Sequence, residues 1–278
     1  MPTQTLVDTP PGLTTESPRR SSWAVMRSVV FALSLRELKT RLDGRWGGAV
    51  WVIGEPLLNT LGMLAVYSAM RAQTIGGVDT LLFLVSGQMP FLLFKSLVLR
   101  LMEAIDSNQG LFAYRQVQPI DAVIARGVVE LLVFGAVMGG CLAALGWAGH
   151  PVLPHRPLEL FAAIVLLAVT GGALGLFMAV ATAPPLNRLR GLVAMLFLPI
   201  YVSSGALIPL GSLPLGLQVA FLYNPIAHLL ELLRSALIGP LYQASPHVGW
   251  TLPITWALGS ALAALALYRA RRYRLQMG

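Results

Sequence analysis

From position 50 onward the chain alternates between long apolar runs and short polar connections. The runs cover 50–70, 81–102, 122–147, 159–181, 190–210 and 250–269. Each approaches the ~20 residues that carry a helix across a bilayer, so six transmembrane helices are predicted. The second run is the most polar, because it holds Lys95 and Arg100. A further stretch, 213–238, is interrupted by Asn224-Pro225 and carries Glu231 and Arg234. Broken backbone at membrane depth needs protein or water around it, so this stretch is predicted to form re-entrant or interfacial helices between the fifth and sixth spans. Upstream the rhythm changes. Over 22–42, Phe31, Leu35, Leu38 and Leu42 recur at helical spacing, with Arg36, Glu37, Lys39, Thr40 and Arg41 on the other side. That pattern predicts an amphipathic helix lying in the headgroup layer; the alternative is a helix packed on a partner protein. Residues 1–21, rich in Pro, Ser and Thr, are predicted to be a disordered cytosolic tail. The expected organisation is a tail at 1–21, an interface helix at 22–45 and a transmembrane domain at 46–278.

Composition agrees with the pattern. The 278 residues are 56% hydrophobic and 12% charged, with mean hydropathy +0.70, against about 25% charged in soluble domains. An all-α, multi-pass membrane protein is the expected fold class. The net charge of +8 does not point to nucleic acid, because the cations sit between apolar runs. Sixteen of the 20 Lys and Arg residues fall in the N-terminal segment, the second and fourth connections and the C-terminus. Arg71, Arg156 and Arg234 fall on the other side, and Lys95 lies within a run. This asymmetry places both termini in the cytoplasm. Arg19-Arg20 resembles a twin-arginine signal, but no small-residue cleavage site follows. The single Cys141 permits no intrachain disulfide.

Several chemistries are excluded. A P-loop needs Gly before its Lys, and the two lysines follow Leu38 and Phe94. His150, His155, His228 and His247 show no metal-ligand spacing. No GxSxG occurs. No catalytic, metal or cofactor residue is therefore assigned.

Polar residues inside spans are the remaining candidates, since charge there is costly. Glu55 stands about one turn inside the first span, where it either pairs with an arginine such as Arg45 or serves transport. Lys95 either snorkels to the headgroups or faces a polar groove and an anionic substrate. Gly135/Gly139 and Gly171/Gly175 form GxxxG pairs, read as packing within the chain rather than a dimer seam. The loop 107–121 carries Leu111, Phe112 and Tyr114 beside Arg115 and Gln116, an aromatic cluster suited to a protein groove or to the bilayer surface. In 211–240, His228, Glu231 and Arg234 share a helical face after Asn224-Pro225, which suits a helix partly immersed at the outer mouth.

RELKTR with WGGAVWVIGEP (36–56), QPIDAVIARGVVE (118–130) and YNPIAHLLELLRSALIG (223–239) resemble the ABC-2 type polysaccharide-export permeases, nearest to the capsule exporters of Gram-negative bacteria. The resemblance covers position 30 to the end, and the Gly48-Ala49 of the Gly-rich turn departs from the aromatic often found there. It implies a type V exporter-like fold and a multi-pass inner-membrane protein acting as a homodimer with two copies of a soluble ATPase, which binds the ATP and Mg. It further implies a lipid-linked, often anionic glycan substrate, a periplasmic co-polymerase or adaptor, and an outer-membrane channel. By the same resemblance, Leu111, Phe112, Tyr114, Arg115 and Gln116 form the ATPase coupling loop. Arg36, Glu37, Arg41, Arg45, Trp46 and Trp51 form the interface at the cytoplasmic mouth. Glu55, Tyr67, Lys95 and Arg100, singled out by their polarity and position rather than by the resemblance, are the candidates for the substrate path. Tyr223, Asn224, His228, Glu231 and Arg234 belong to the outer gate. Aromatics such as Trp46, Trp51 and Tyr67 suit sugar stacking, although single aromatics at span ends are ordinarily bilayer anchors. The rival readings are an ABC-2 permease for O-antigen, teichoic acid or a drug, an ion-coupled secondary transporter, and an enzyme acting on lipid-linked sugar.

Overall fold

The computed structural model describes residues 22–42, 48–70, 74–114 and 116–277. The tail 1–21 and the candidates Arg45, Trp46 and Arg115 lie outside the described residues. Nine α-helices are described: α1 (Ser22–Leu42), α2 (Gly48–Ala69), α3 (Thr80–Met102), α4 (Pro119–Trp147), α5 (Pro157–Ala181), α6 (Arg190–Ser203), α7 (Leu215–Phe221), α8 (Pro225–Ile238) and α9 (Thr251–Met277). Two-residue strands β1 (Thr74–Ile75) and β2 (Val78–Asp79) make a small antiparallel hairpin before α3.

Among the described residues, five stretches are long and apolar enough to cross a bilayer: α3, α4, α5, the 18 residues Leu186–Ser203 that include α6, and Thr251–Tyr273 of α9. The 22-residue α2 occupies the predicted first span. The fifth predicted run is shortened, because α6 ends at Ser203 rather than 210. Gly205 there adopts φ +71° and turns the chain away. The last helix runs past 269 through the basic C-terminal residues to Met277.

Helix starts follow local chemistry. The Asp79 carboxylate accepts hydrogen bonds from the backbone N–H groups of Leu81 (2.9 Å) and Leu82 (3.2 Å), so the hairpin leads directly into α3. Pro119 and Pro157 stand in the first turns of α4 and α5, where the missing N–H has no intrahelical use. The Asp121 carboxylate accepts from Gln118 N–H at 2.8 Å, closing the α4 entrance.

α3 is the buried centre, with 78% of its apolar window enclosed. It packs against α2, α4, α5 and α8, and α5 packs in turn on α8 and α9. Gly171 and Gly175 lie on the α3–α5 seam, where an added Cβ would press on Leu97 and Leu101; this pair packs within the chain, as read from the sequence. Gly135 and Gly139 have nothing within 4 Å of such a Cβ, so that pair makes no seam among the described residues. α1 packs on α4. Its Ser34 donates to Ala125 O at 3.3 Å, while Phe31, Leu35 and Leu42 remain exposed on its outer side. Glu37 and Arg41 pair with Arg126 and Glu130 of α4, whereas Arg36, Lys39 and Thr40 are exposed and Leu38 is half-buried, so α1 does not divide into a polar inner and an apolar outer face.

Candidate functional site

At the α1 end of the bundle, α1, α2, α3 and α4 enclose a cleft of about 240 Å³. Arg41, Glu55, Lys95, Arg100 and Glu130 supply its charged lining, and Leu92, Leu99, Val133, Phe134 and Val137 are among its apolar walls. Four residues assigned from the sequence to the mouth or path therefore meet at one place.

The charges form a chain of ion pairs across four helices. Glu37 lies 3.1 Å from Arg41 and 3.2 Å from Arg126. Arg41 contacts Glu130 at 2.5 Å. Arg100 lies 3.5 Å from both Glu130 and Glu55. Arg126 also donates to Arg100 O (3.0 Å) and Ser107 Oγ (2.8 Å), and Arg36 donates to Asn108 Oδ1 at 2.7 Å. Glu55 was expected beside an arginine such as Arg45; its described partner is Arg100. Glu130 is buried and shared by the guanidiniums of Arg41 and Arg100, so its charge is balanced by two neighbours.

Lys95 differs. It lines the cleft without an ion pair or hydrogen bond of its own among the described residues. It stands seven residues, or ~10 Å, from the end of α3. An ammonium in a half-apolar cleft, beside carboxylates already occupied by arginines, is a cation available to an anionic ligand. Tyr67 sits farther along α2, half-buried, and donates to Leu207 O at 2.8 Å. Trp51 is exposed on α2.

The loop after α3 is not the exposed aromatic cluster expected. It forms a 3-10 turn over Asp106–Leu111. Phe112 is 9% exposed and packs into the chain's own core with Ile105 and Val123, whereas Tyr114 is 66% exposed. Leu111 is half-buried and Gln116 exposed. Tyr114 and Gln116 are therefore the outward groups, and Phe112 anchors the loop.

At the opposite end the polar face of α8 is buried rather than immersed at a mouth. Arg234 and Glu231 are each 0% exposed. Arg234 donates to Gly205 O (2.6 Å) and Ala206 O (2.8 Å), stacks 3.9 Å from the Phe83 ring, and lies 3.7 Å from Glu231. Glu231 accepts from Tyr242 Oη (2.7 Å) and Leu210 N–H (3.3 Å). Burial holds the Tyr242 phenol well above its usual range, so it stays protonated as a donor. An added Cβ on Gly87 of α3 would overlap the Arg234 guanidinium. His228 Nε2 hydrogen-bonds Leu222 O at 2.9 Å while its Nδ1 accepts from Gly249 N–H at 3.0 Å, which ties α8 to the loops on both sides. Asn224 caps α8 through Ile226 N–H at 3.0 Å, and Tyr223 is exposed.

The sequence profile of the ABC-2 type transporters matches residues 28–238, a span reaching from α1 to the end of α8 and so including both charged clusters. The chain belongs to the ABC-2 type transporter family. Among its relatives, the polysialic acid transport protein KpsM of Escherichia coli is 34% identical over 253 residues, covering 91% of this chain and 96% of the relative. The capsule polysaccharide export inner-membrane protein CtrC of Neisseria meningitidis is 26% identical, covering 78% and 82%. BexB of Haemophilus influenzae, with the same description, is 25% identical over 86% and 90%. As an ABC-2 protein this chain is a transporter membrane subunit, and the cleft gathers charged side chains from four of its helices. Sequence reasoning missed Glu130 and used Arg126 only as a charge. Both are charges inside an apolar run, which by itself marks a candidate site.

Proposed function

We propose that this chain is the permease subunit of an ATP-driven exporter that moves a lipid-linked, anionic capsular polysaccharide across the bacterial inner membrane. End-to-end similarity to relatives named for capsule and polysialic acid export carries the reading, and an unpaired Lys95 in a charged cleft supports it. On the family resemblance, two copies of the chain work with two copies of a separate ATPase; in keeping with a separate ATPase, neither lysine of this chain follows a glycine as a P-loop requires. The six spans are α2, α3, α4, α5, α6 and α9, with both termini cytoplasmic. A periplasmic adaptor and an outer-membrane channel continue the route.

Tyr114 and Gln116 face the ATPase, and Lys95 with Arg100 meets anionic groups on the glycan. Many weak contacts of this kind let a polymer advance without sticking. Co-purification tests the arrangement. Tyr114→Asp is expected to release the ATPase while the permease keeps its membrane level. Phe112→Asp is expected to lower that level itself, because it buries a charge. Full ATPase recovery with Tyr114→Asp overturns the docking assignment.

A further inference from the structure

α6 is attached mainly at its two ends. Along its middle, Leu192, Met195, Leu196 and Leu198 are exposed and only Phe197 is buried. Its lateral contacts include aromatic ones: Phe197 and Tyr201 rest on Phe94 and Phe91 of α3, with ring centres 5.9 and 4.7 Å apart, and Val193 and Ile200 pack on the same core.

Both ends are held by polar contacts. At the first residue of α6, Arg190 binds Asp106 at 2.6 Å, and Asp106 opens the 3-10 turn of the loop that carries Tyr114. The same guanidinium donates to Thr182 Oγ1 (3.2 Å) and Thr182 O (3.3 Å) at the end of α5. At the far end, Asn224 donates to Ile200 O (3.2 Å) and Ser203 Oγ (3.0 Å), and Arg234 holds the carbonyls of Gly205 and Ala206. A continuous set of polar ties therefore runs from the loop, along α6, to α8.

We propose that the Asp106–Arg190 ion pair is the positioning link through which movement of the 106–114 loop is delivered to α6, and through α6 to α8. This inference rests on the docking of a separate ATPase at that loop. A short charge-assisted contact holds its geometry under load better than sliding apolar side chains do. Arg190 is the first residue of α6, so a displacement of the loop reaches the helix at its end. Asp106 lies six residues before the buried Phe112 and is itself half-buried, unlike the exposed Tyr114 and Gln116. Loss of the pair therefore uncouples α6 without removing the docking surface.

The test uses the full chain with its ATPase in membrane vesicles, comparing wild type, Asp106→Asn, Arg190→Gln and the conservative Arg190→Lys. Three quantities are read at matched membrane levels: ATPase co-purification, ATP hydrolysis and polysaccharide export. The inference expects Asp106→Asn and Arg190→Gln to keep co-purification, to hold hydrolysis within about twofold, and to lower export by roughly tenfold. Arg190→Lys is expected to restore export to within about threefold of wild type. A merely structural staple would lower hydrolysis and export together, and that result overturns the link, as does unchanged export in both variants with the ATPase bound. Loss of the ATPase from the single variants also overturns it, by making the pair part of the docking surface. A wild-type chain that retains no ATPase overturns the proposed function itself, and is recognised before any variant is compared.

Discussion

Two charged clusters stand at opposite ends of this bundle, and they solve the cost of buried charge in different ways. Around Arg234, every charge is sealed and the guanidinium is held by backbone carbonyls, an aromatic face and one carboxylate. Around Glu130, side chains from four helices share partners, part of the cluster is open, and one cation is left over. The first arrangement fixes the path of the chain after α6. The second leaves a residual charge facing a cleft, which is what a binding surface needs. Charge in a membrane protein is thus not uniformly a mark of transport: its role depends on whether the charge is enclosed with its counter-ion or faces a cleft.

The contrast can be broken at its most rigid point. Arg234→Ala leaves Glu231 buried without its cation, and the cost expected for breaking such a pair is about 3–5 kcal/mol. Thermal unfolding of the detergent-solubilised protein measures it. Gly87→Ala is expected to act in the same direction, because its Cβ takes the guanidinium's place. Stability equal to wild type in both variants would mean that the sealed cluster is not structural.

A smaller effect is expected at the shared acid. Glu130→Gln leaves Arg41 and Arg100 their other carboxylates, Glu37 and Glu55. The expected loss is about 1–3 kcal/mol, the range for removing one partner of a buried polar group. Because Arg41 belongs to α1, spin labels on α1 and α4 are expected to report a broader distance distribution. An unchanged distribution would show that Ser34, the Glu37–Arg126 pair and the Arg36–Asn108 contact suffice to dock α1.

The smallest stability effect is expected at Lys95, which has no described partner to lose. Lys95→Ala is expected to leave the unfolding temperature unchanged and to lower export of an anionic glycan by roughly fivefold, with Lys95→Arg retaining most of it. An equal loss for a neutral glycan would remove the electrostatic role.

Much of this architecture is legible in the chain. Apolar runs, proline starts and the broken stretch at Asn224-Pro225 locate the helices within a few residues, because bilayer thickness and capping chemistry act locally. The α6 terminus was misplaced because Ile208 and Leu210 keep the run apolar beyond the turn at Gly205. Side-chain direction in loops was not legible: Phe112 and Tyr114 look alike in sequence, and only the neighbouring core separates them. The burial of Glu231 and Arg234 depends on space left by Gly87, far away in sequence, so helical periodicity alone placed them at a surface. Glu55 and Lys95 were found by the cost of intramembrane charge, whereas their meeting with Arg41 and Glu130 required the packing of four helices.

The most direct test of the central claim is ATP-driven movement of labelled anionic capsular polysaccharide in proteoliposomes holding this chain and its ATPase. Movement is expected with ATP, absent with an ATPase whose P-loop lysine is replaced, and strongly reduced with Lys95→Ala. Transport by this chain without the ATPase, or at the full rate with the inactive one, would contradict the account.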